Sequence, residues 1–140
     1  MKDFDTWNKI KKKIQKNTSQ KLFKEGEIWL THLGSNIGIE QDGKGYNFVR
    51  PVLILRKYNP QHCLALPLTT KKQPSHVSFH LCGKTPFLKK ESWIIFSQAR
   101  VLDVKRFHRK MGKLSEYVFQ LIQKKSARTI VRASGTLSGK

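Results

Sequence analysis

The 140-residue sequence predicts a small, mainly β barrel with a helix at either end. Three observations carry that expectation. Short apolar segments of period two, bounded by Gly, Pro, Asn or Thr, recur between residues 27 and 114. A helical period appears only over residues 4–14 and after Ser115. The composition, 38% hydrophobic with eight Phe, three Trp and three Tyr, suffices for one buried core.

Phe4, Trp7, Ile10 and Ile14 fall at helical spacing, with Asp3 or Asp5 placed to cap the first turn and Lys11, Lys12, Lys13 and Lys16 on the opposite side. The expectation is an amphipathic helix packed on the body, with a membrane surface as the weaker alternative because the stripe is short. Residues 17–20 read as a linker, so residues 1–24 form an extension ahead of a barrel domain over 25–130. From Glu27, the residues Ile28, Leu30 and His32 alternate with Trp29, Thr31 and Leu33 until Gly34 breaks the strand. A Gly-rich polar connection over 34–49 follows, and a connection that long in a compact domain points to function.

Pro51–Leu55 reads as a strand opened by proline, where the missing N–H does least harm. His62–Leu68 reads as another, ending at Thr69 and Thr70. His76–Leu81 alternates, with Val77, Phe79 and Leu81 on one face and His76, Ser78 and His80 on the other, and Ser92–Val101 supplies a further strand. A short pairing segment, Arg109–Leu114, brings the count to five or six. Ser115 suits the N-cap of a helix whose Val118, Leu121, Ile122 and Lys125 stem share one side. Residues 131–140, small and without pattern, read as a flexible tail.

The charge narrows the function. Twenty-eight Lys and Arg against nine Asp and Glu leave +19, far beyond the net charge of about 2–8 that keeps a small domain soluble. Residues 1–24 hold eight lysines against two acids, and residues 105–140 hold ten basic residues against Glu116 alone, while the middle holds ten against six. Basic flanks on a modestly charged body gather a polyanion, nucleic acid first, and fit an acidic protein equally well. No apolar run approaches the length of a membrane span, and the N-terminus lacks the order of a signal peptide, so a cytoplasmic protein is expected. Cys63 and Cys82 then read as buried thiols. His62, His76, His80 and Cys82 lie near adjacent strands, but no Cys-x-x-Cys occurs and the four-residue step from His76 to His80 falls on an expected strand rather than a helix, so neither a metal nor a cofactor is assigned.

The order of motifs is more specific. Gly26-Glu27-Ile28-Trp29-Leu30 opens a first strand. Gly38-Ile39-Glu40-Gln41-Asp42-Gly43, Arg50-Pro51-Val52-Leu53-Ile54-Leu55 and Leu66-Pro67-Leu68-Thr69 follow, then Pro74-Ser75-His76-Val77 and Ser97-Gln98-Ala99-Arg100-Val101-Leu102-Asp103. Over residues 25–128 this series resembles the MazF/PemK (Kid) family of toxins. The resemblance implies an SH3-like barrel that dimerises and cuts single-stranded RNA, mRNA included, at short sequences. It implies restraint by an antitoxin with an acidic tail, and contact with DNA only through the antitoxin complex.

Cleavage in such proteins needs no metal: the ribose 2′-hydroxyl attacks the adjacent phosphate and leaves a 2′,3′-cyclic phosphate. Arg50 matches the family's catalytic arginine. A guanidinium is a poor base but suits the oxygens of a pentacoordinate phosphorus. Thr69 matches the catalytic threonine, its hydroxyl positioning the scissile phosphate, with Thr70 beside it leaving the assignment open by one residue. Lys44, Thr70 and Lys71 join them as substrate-binding candidates. Glu40, Gln41 and Gln98 either read bases or brace the loop, and His76 is either a proton acceptor or an ordinary histidine.

The departures from the family also matter. Lys44-Gly45-Tyr46-Asn47-Phe48-Val49 lengthens the connection before Arg50, so a cleavage sequence does not transfer. The Kid-like histidine and Arg-x-Asp positions hold Ile39, Ile95 and Ser97. The leading expectation is a metal-independent endoribonuclease, and its rival is a non-catalytic basic SH3-like module that binds nucleic acid or an acidic protein.

Overall fold

A computed structural model describes residues 2–18, 20–81 and 85–131. The chain runs through α1 (Phe4–Lys16), β1 (Glu27–His32), β2 (Val49–Asn59), β3 (His62–Thr69), β4 (Ser78–Leu81), β5 (Ser92–Ile95), β6 (Arg100–Asp103), β7 (Phe107–Lys113) and α2 (Glu116–Thr129). The described strands pair antiparallel in the order β4-β5-β3-β2-β1-β7, and β6 pairs β3 on the edge away from β2, as β5 does. This is the expected mainly β architecture with two helices. It has seven strands rather than five or six, and its sheet is not closed: the outer strands β4 and β7 do not pair with each other.

The extra strand comes from 92–101, which reads as one strand in the sequence. Ile95 and Phe96 are both buried in succession, which breaks the alternation, and Phe96–Gln98 forms a 3-10 turn. The segment therefore runs along one edge of β3 in two pieces. Leu68 and Thr69 face Ile94 and Trp93 of β5, and Ala65 to His62 face Arg100 to Asp103 of β6.

Two further boundaries differ from the reading of the sequence. Pro51 is the third residue of β2, opposite Leu30, and the pairing of β2 with β3 begins only at Val52 with Pro67. The absent N–H thus falls where no β3 partner waits for it. The segment from His76 opens as a 3-10 turn, Ser75–Val77, and β4 starts at Ser78. Ser78 is buried rather than on a polar face, its hydroxyl donating to the Pro74 carbonyl at 2.8 Å.

The run Val52–Leu55 is buried on both faces of the sheet. Val52 and Ile54 join Phe23, Trp29, Cys63 and Phe107 on one side, while Leu53 and Leu55 join Ile28, Leu66, Ile94 and Ile122 on the other. Burial pushes the Cys63 thiol up to about 12, the state of an inert packing residue. Cys82 and residues 132–140 of the expected tail lie outside the described residues.

Both helix starts follow their caps. Asp3 accepts from the Thr6 amide at 3.0 Å and the Thr6 hydroxyl at 2.6 Å, and Ser115 accepts from the Val118 amide at 3.3 Å. On α1 only Trp7 of the apolar stripe is fully buried; Ile10 and Ile14 are half-buried and Phe4 is exposed. No helix among the described residues is long and apolar enough to cross a membrane.

Candidate active site

The connection between β1 and β2 is an ordered loop. The Leu33 and Gly34 amides both donate to the Phe48 carbonyl, the Gly43 amide donates to Gly34, and Lys44 and Val49 exchange two backbone bonds. Gly43 has no alternative: a Cβ there would lie 1.6 Å from the Phe48 oxygen. Inside the loop, Asn36 donates its side-chain amide to the carbonyls of Leu33 and Gln41, and its backbone amide donates to Asp42 Oδ1 at 2.6 Å.

The loop delivers the Asp42 carbonyl to Arg50. Arg50 Nε donates to it at 2.6 Å, and Nη1 donates to the Leu68 carbonyl at 3.0 Å. The side chain is therefore fastened to the loop on one side and to β3 on the other, with three N–H groups of its fork left over. Burial pushes the guanidinium down and Asp42 offsets this, but an arginine so placed stays a cation at neutral pH.

Beside it lies Thr69, the last residue of β3, buried and accepting from the Lys71 amide at 3.2 Å. Arg50, Thr69, Lys44, Thr70 and Ser92 line one cleft of about 140 Å³, together with Val49, Pro51 and Leu68. Among these lining residues stand two cations and three hydroxyls, without a carboxylate or an imidazole. The chemistry of such a set suits a phosphate; it offers no side chain that titrates near neutrality.

The other sequence candidates lie elsewhere. Glu40, Gln41 and Gln98 line a separate cavity with Arg100. Gln98 Nε2 donates to the Ile39 carbonyl at 3.2 Å, and its Oε1 accepts from the Gln41 amide at 3.3 Å. Glu40 accepts from the Ile37 amide at 2.9 Å. Glu40 and Gln98 thus both hydrogen-bond to the backbone of this loop. Lys71 contributes its amide to Thr69 and does not line the cleft.

His76 sits exposed on the 3-10 turn before β4, away from the cleft lining, and Lys125 donates to the carbonyls of the flanking Ser75 and Ser78. His80 stacks on Trp93 and faces Glu91, and His62 leans on Tyr58. No group of three His, Cys, Asp or Glu among the described residues is arranged to hold a metal.

Sequence reasoning did not single out Ser92 or the Asp42 carbonyl. Ser92 stands at a strand start with no motif around it, and a carbonyl acceptor leaves no mark on residue type.

An antiparallel sheet with helices at its ends, carrying an arginine and a threonine together in a cationic cleft, defines a small basic mainly β domain. The chain belongs to the PemK-like, MazF-like toxins of type II toxin-antitoxin systems, whose family model matches residues 24–129. It is 34% identical over 103 residues to the endoribonuclease MazF of Staphylococcus epidermidis, a match spanning 68% of this chain and 80% of that one.

Solved structures share the fold at lower identity. A mycobacterial endoribonuclease in complex with its cognate antitoxin has a TM-score of 0.59 and 13% identity, covering 79% of this chain and 95% of that one. The Mycobacterium tuberculosis toxin MazF-mt6 has a TM-score of 0.58 and 15% identity, covering 77% and 98%. MazF from Deinococcus radiodurans has a TM-score of 0.56 and 16% identity, covering 86% and 99%.

Proposed function

We propose that this chain is a toxin-type endoribonuclease that cuts single-stranded RNA, mRNA included, at short sequences and without a metal. The observation that carries the reading is the meeting of Arg50 and Thr69 in one cleft of a chain that belongs to this family. The 2′-oxygen forms a bond to phosphorus as the bond to the 5′-oxygen breaks. The 2′ proton leaves, the departing oxygen gains one, and the products are a 2′,3′-cyclic phosphate and a free 5′-hydroxyl.

Arg50 meets the charge on the equatorial oxygens with its free N–H groups. Thr69 holds the phosphate through its hydroxyl, and Lys44 and Thr70 add a charge and a donor at the mouth. An acidic antitoxin neutralises the +19 chain by occupying the same basic surface. The protein acts in the cytoplasm as a homodimer and meets DNA only through the antitoxin complex.

A second reading has one observation in its favour. The cleft lining lacks a carboxylate or imidazole to take the 2′ proton, as a non-catalytic SH3-like module binding nucleic acid or an acidic protein would. Incubating the purified protein with a long unstructured RNA and the matching DNA in EDTA, then mapping fragment ends, separates the two. Discrete RNA cuts ending in 2′,3′-cyclic phosphate support the ribonuclease; RNA that shifts in a gel but stays whole supports the module; cutting only after metal is restored rejects the metal-free mechanism.

A further inference from the structure

Helix α1 precedes the segment matched by the family model, yet its first two turns pack on the loop that holds Arg50. Trp7 is buried with its indole against Gly34, where a Cβ would lie 2.1 Å from the ring, and its centroid is 5.6 Å from that of Phe48. Arg106 lies over the indole at 5.9 Å and donates to the His32 carbonyl at 3.0 Å, tying the helix to the end of β1.

Lys2 contacts the loop still more directly. Its ammonium donates to the Asn36 and Gly38 carbonyls, the latter at 3.1 Å, and pairs with Asp42 Oδ2 at 3.3 Å. Two of its donors thus go to carbonyls of this loop, and its charge lies against Asp42. The other Asp42 carboxylate oxygen takes the Asn36 amide, and the Asp42 carbonyl takes Arg50 Nε. One residue thus separates the Lys2 ammonium from the guanidinium in the cleft.

We propose that α1 and the Lys2 that precedes it form a clamp for cleavage, with Lys2 and Trp7 as positioning residues that fix the Asp42 carbonyl and through it the direction of the Arg50 fork. The proposal rests on the ribonuclease reading for its consequence, not for its geometry. A surface ion pair alone contributes little; the force of this one lies in what it holds, because a displacement of about 1 Å in a catalytic group costs on the order of 100-fold in rate. Since the clamp acts on Arg50 and not on RNA, its loss lowers kcat and leaves KM in place.

The test compares Lys2→Ala, Lys2→Arg and Trp7→Ala with the unaltered chain in two measurements. One is steady-state cleavage of a defined RNA oligonucleotide; the other is solvent exchange of the Arg50 Nε–H, followed by NMR on the RNA-free protein. Lys2→Ala is expected to lower kcat by about 10- to 100-fold at unchanged KM and to speed Nε–H exchange, with Lys2→Arg restoring both. Trp7→Ala is expected to do the same with a lower melting temperature. Unchanged exchange in Lys2→Ala overturns the clamp, and so does a loss confined to KM, which would make Lys2 an RNA contact. Should the unaltered chain not cut RNA, the ribonuclease reading fails by itself, and the exchange measurement still decides whether α1 holds Arg50.

Discussion

Arg50 and Asp42 are joined side chain to backbone: Nε of the arginine meets the Asp42 carbonyl at 2.6 Å, so the residue proposed to meet the scissile phosphate is aimed by the loop that crosses it. With Nη1 on Leu68 as well, the fork cannot rotate freely, which is the preorganisation that charge stabilisation requires.

The first prediction concerns that fork. Arg50→Ala should lower kcat for RNA cleavage by roughly 100- to 1000-fold, the effect of removing one preorganised donor set at a developing oxyanion. RNA binding and the circular dichroism spectrum should be largely kept. Arg50→Lys should not rescue it, because an ammonium lacks the planar fork that meets two carbonyls and a phosphate at once. Kinetics of both variants on one oligonucleotide decide; cleavage retained in Arg50→Ala would remove the arginine from the mechanism.

Thr69 separates chemistry from packing. Thr69→Val keeps the volume and β-branching but withdraws the oxygen that accepts from the Lys71 amide and, by our reading, the contact to the phosphate. The lost acceptor should cost about 1 kcal/mol in stability, read from denaturant melts, and kcat should fall about tenfold or more for one lost hydrogen bond to a charged group. Thr69→Ser should recover activity. If Thr70→Val is the more damaging substitution, the roles of the neighbouring threonines are exchanged.

Legibility in the sequence followed the range of the interactions. Asp3 and Ser115 cap their helices as expected because a cap is settled within four residues, and β1 and β3 kept near their expected bounds because the period of two is local. The break at Phe96–Gln98 stayed hidden, since Ile95 and Phe96 look like further strand residues until both are seen to be buried. At the site, Arg50 and Thr69 stood out through their motifs. Their fastening did not: Arg50 binds carbonyls of residues 42 and 68, and Gln98 reaches back to 39 and 41, partners that only the folded sheet brings near.

His32 gives the fold a dependence on pH. Its Nδ1 lies 2.7 Å from the Asn47 carbonyl, and its ring meets His108 edge to face at 5.2 Å. Burial pushes the imidazole below its ordinary value of 6.5; the Asn47 bond opposes this, while His108 and Arg106 add to it. With the folded pKa below the unfolded one, the unfolded chain takes up the proton first. Stability is therefore full above about 6.5 and declines as pH falls toward the folded value. Thermal melts from pH 7.5 to 5 should show this slope, and His32→Gln should flatten it. An equal slope in the variant would place the acid sensitivity elsewhere.

Gly34 is where the loop and the N-terminal helix exclude any side chain. Its φ of +83 lies in the left-handed region, and an added Cβ would sit 2.1 Å from Trp7 Cε2. Gly34→Ala therefore carries two penalties, about 1–2 kcal/mol for the backbone and a clash that pushes the indole off the loop. The two separate in a double-mutant cycle with Trp7→Ala. Without the indole the clash has no partner, so Gly34→Ala should cost less in that background than in the natural chain, leaving only the backbone penalty. Denaturant melts of the four proteins give the coupling. Strict additivity would show that Trp7 does not rest on Gly34 in solution, and would remove the packing on which α1 reaches the loop.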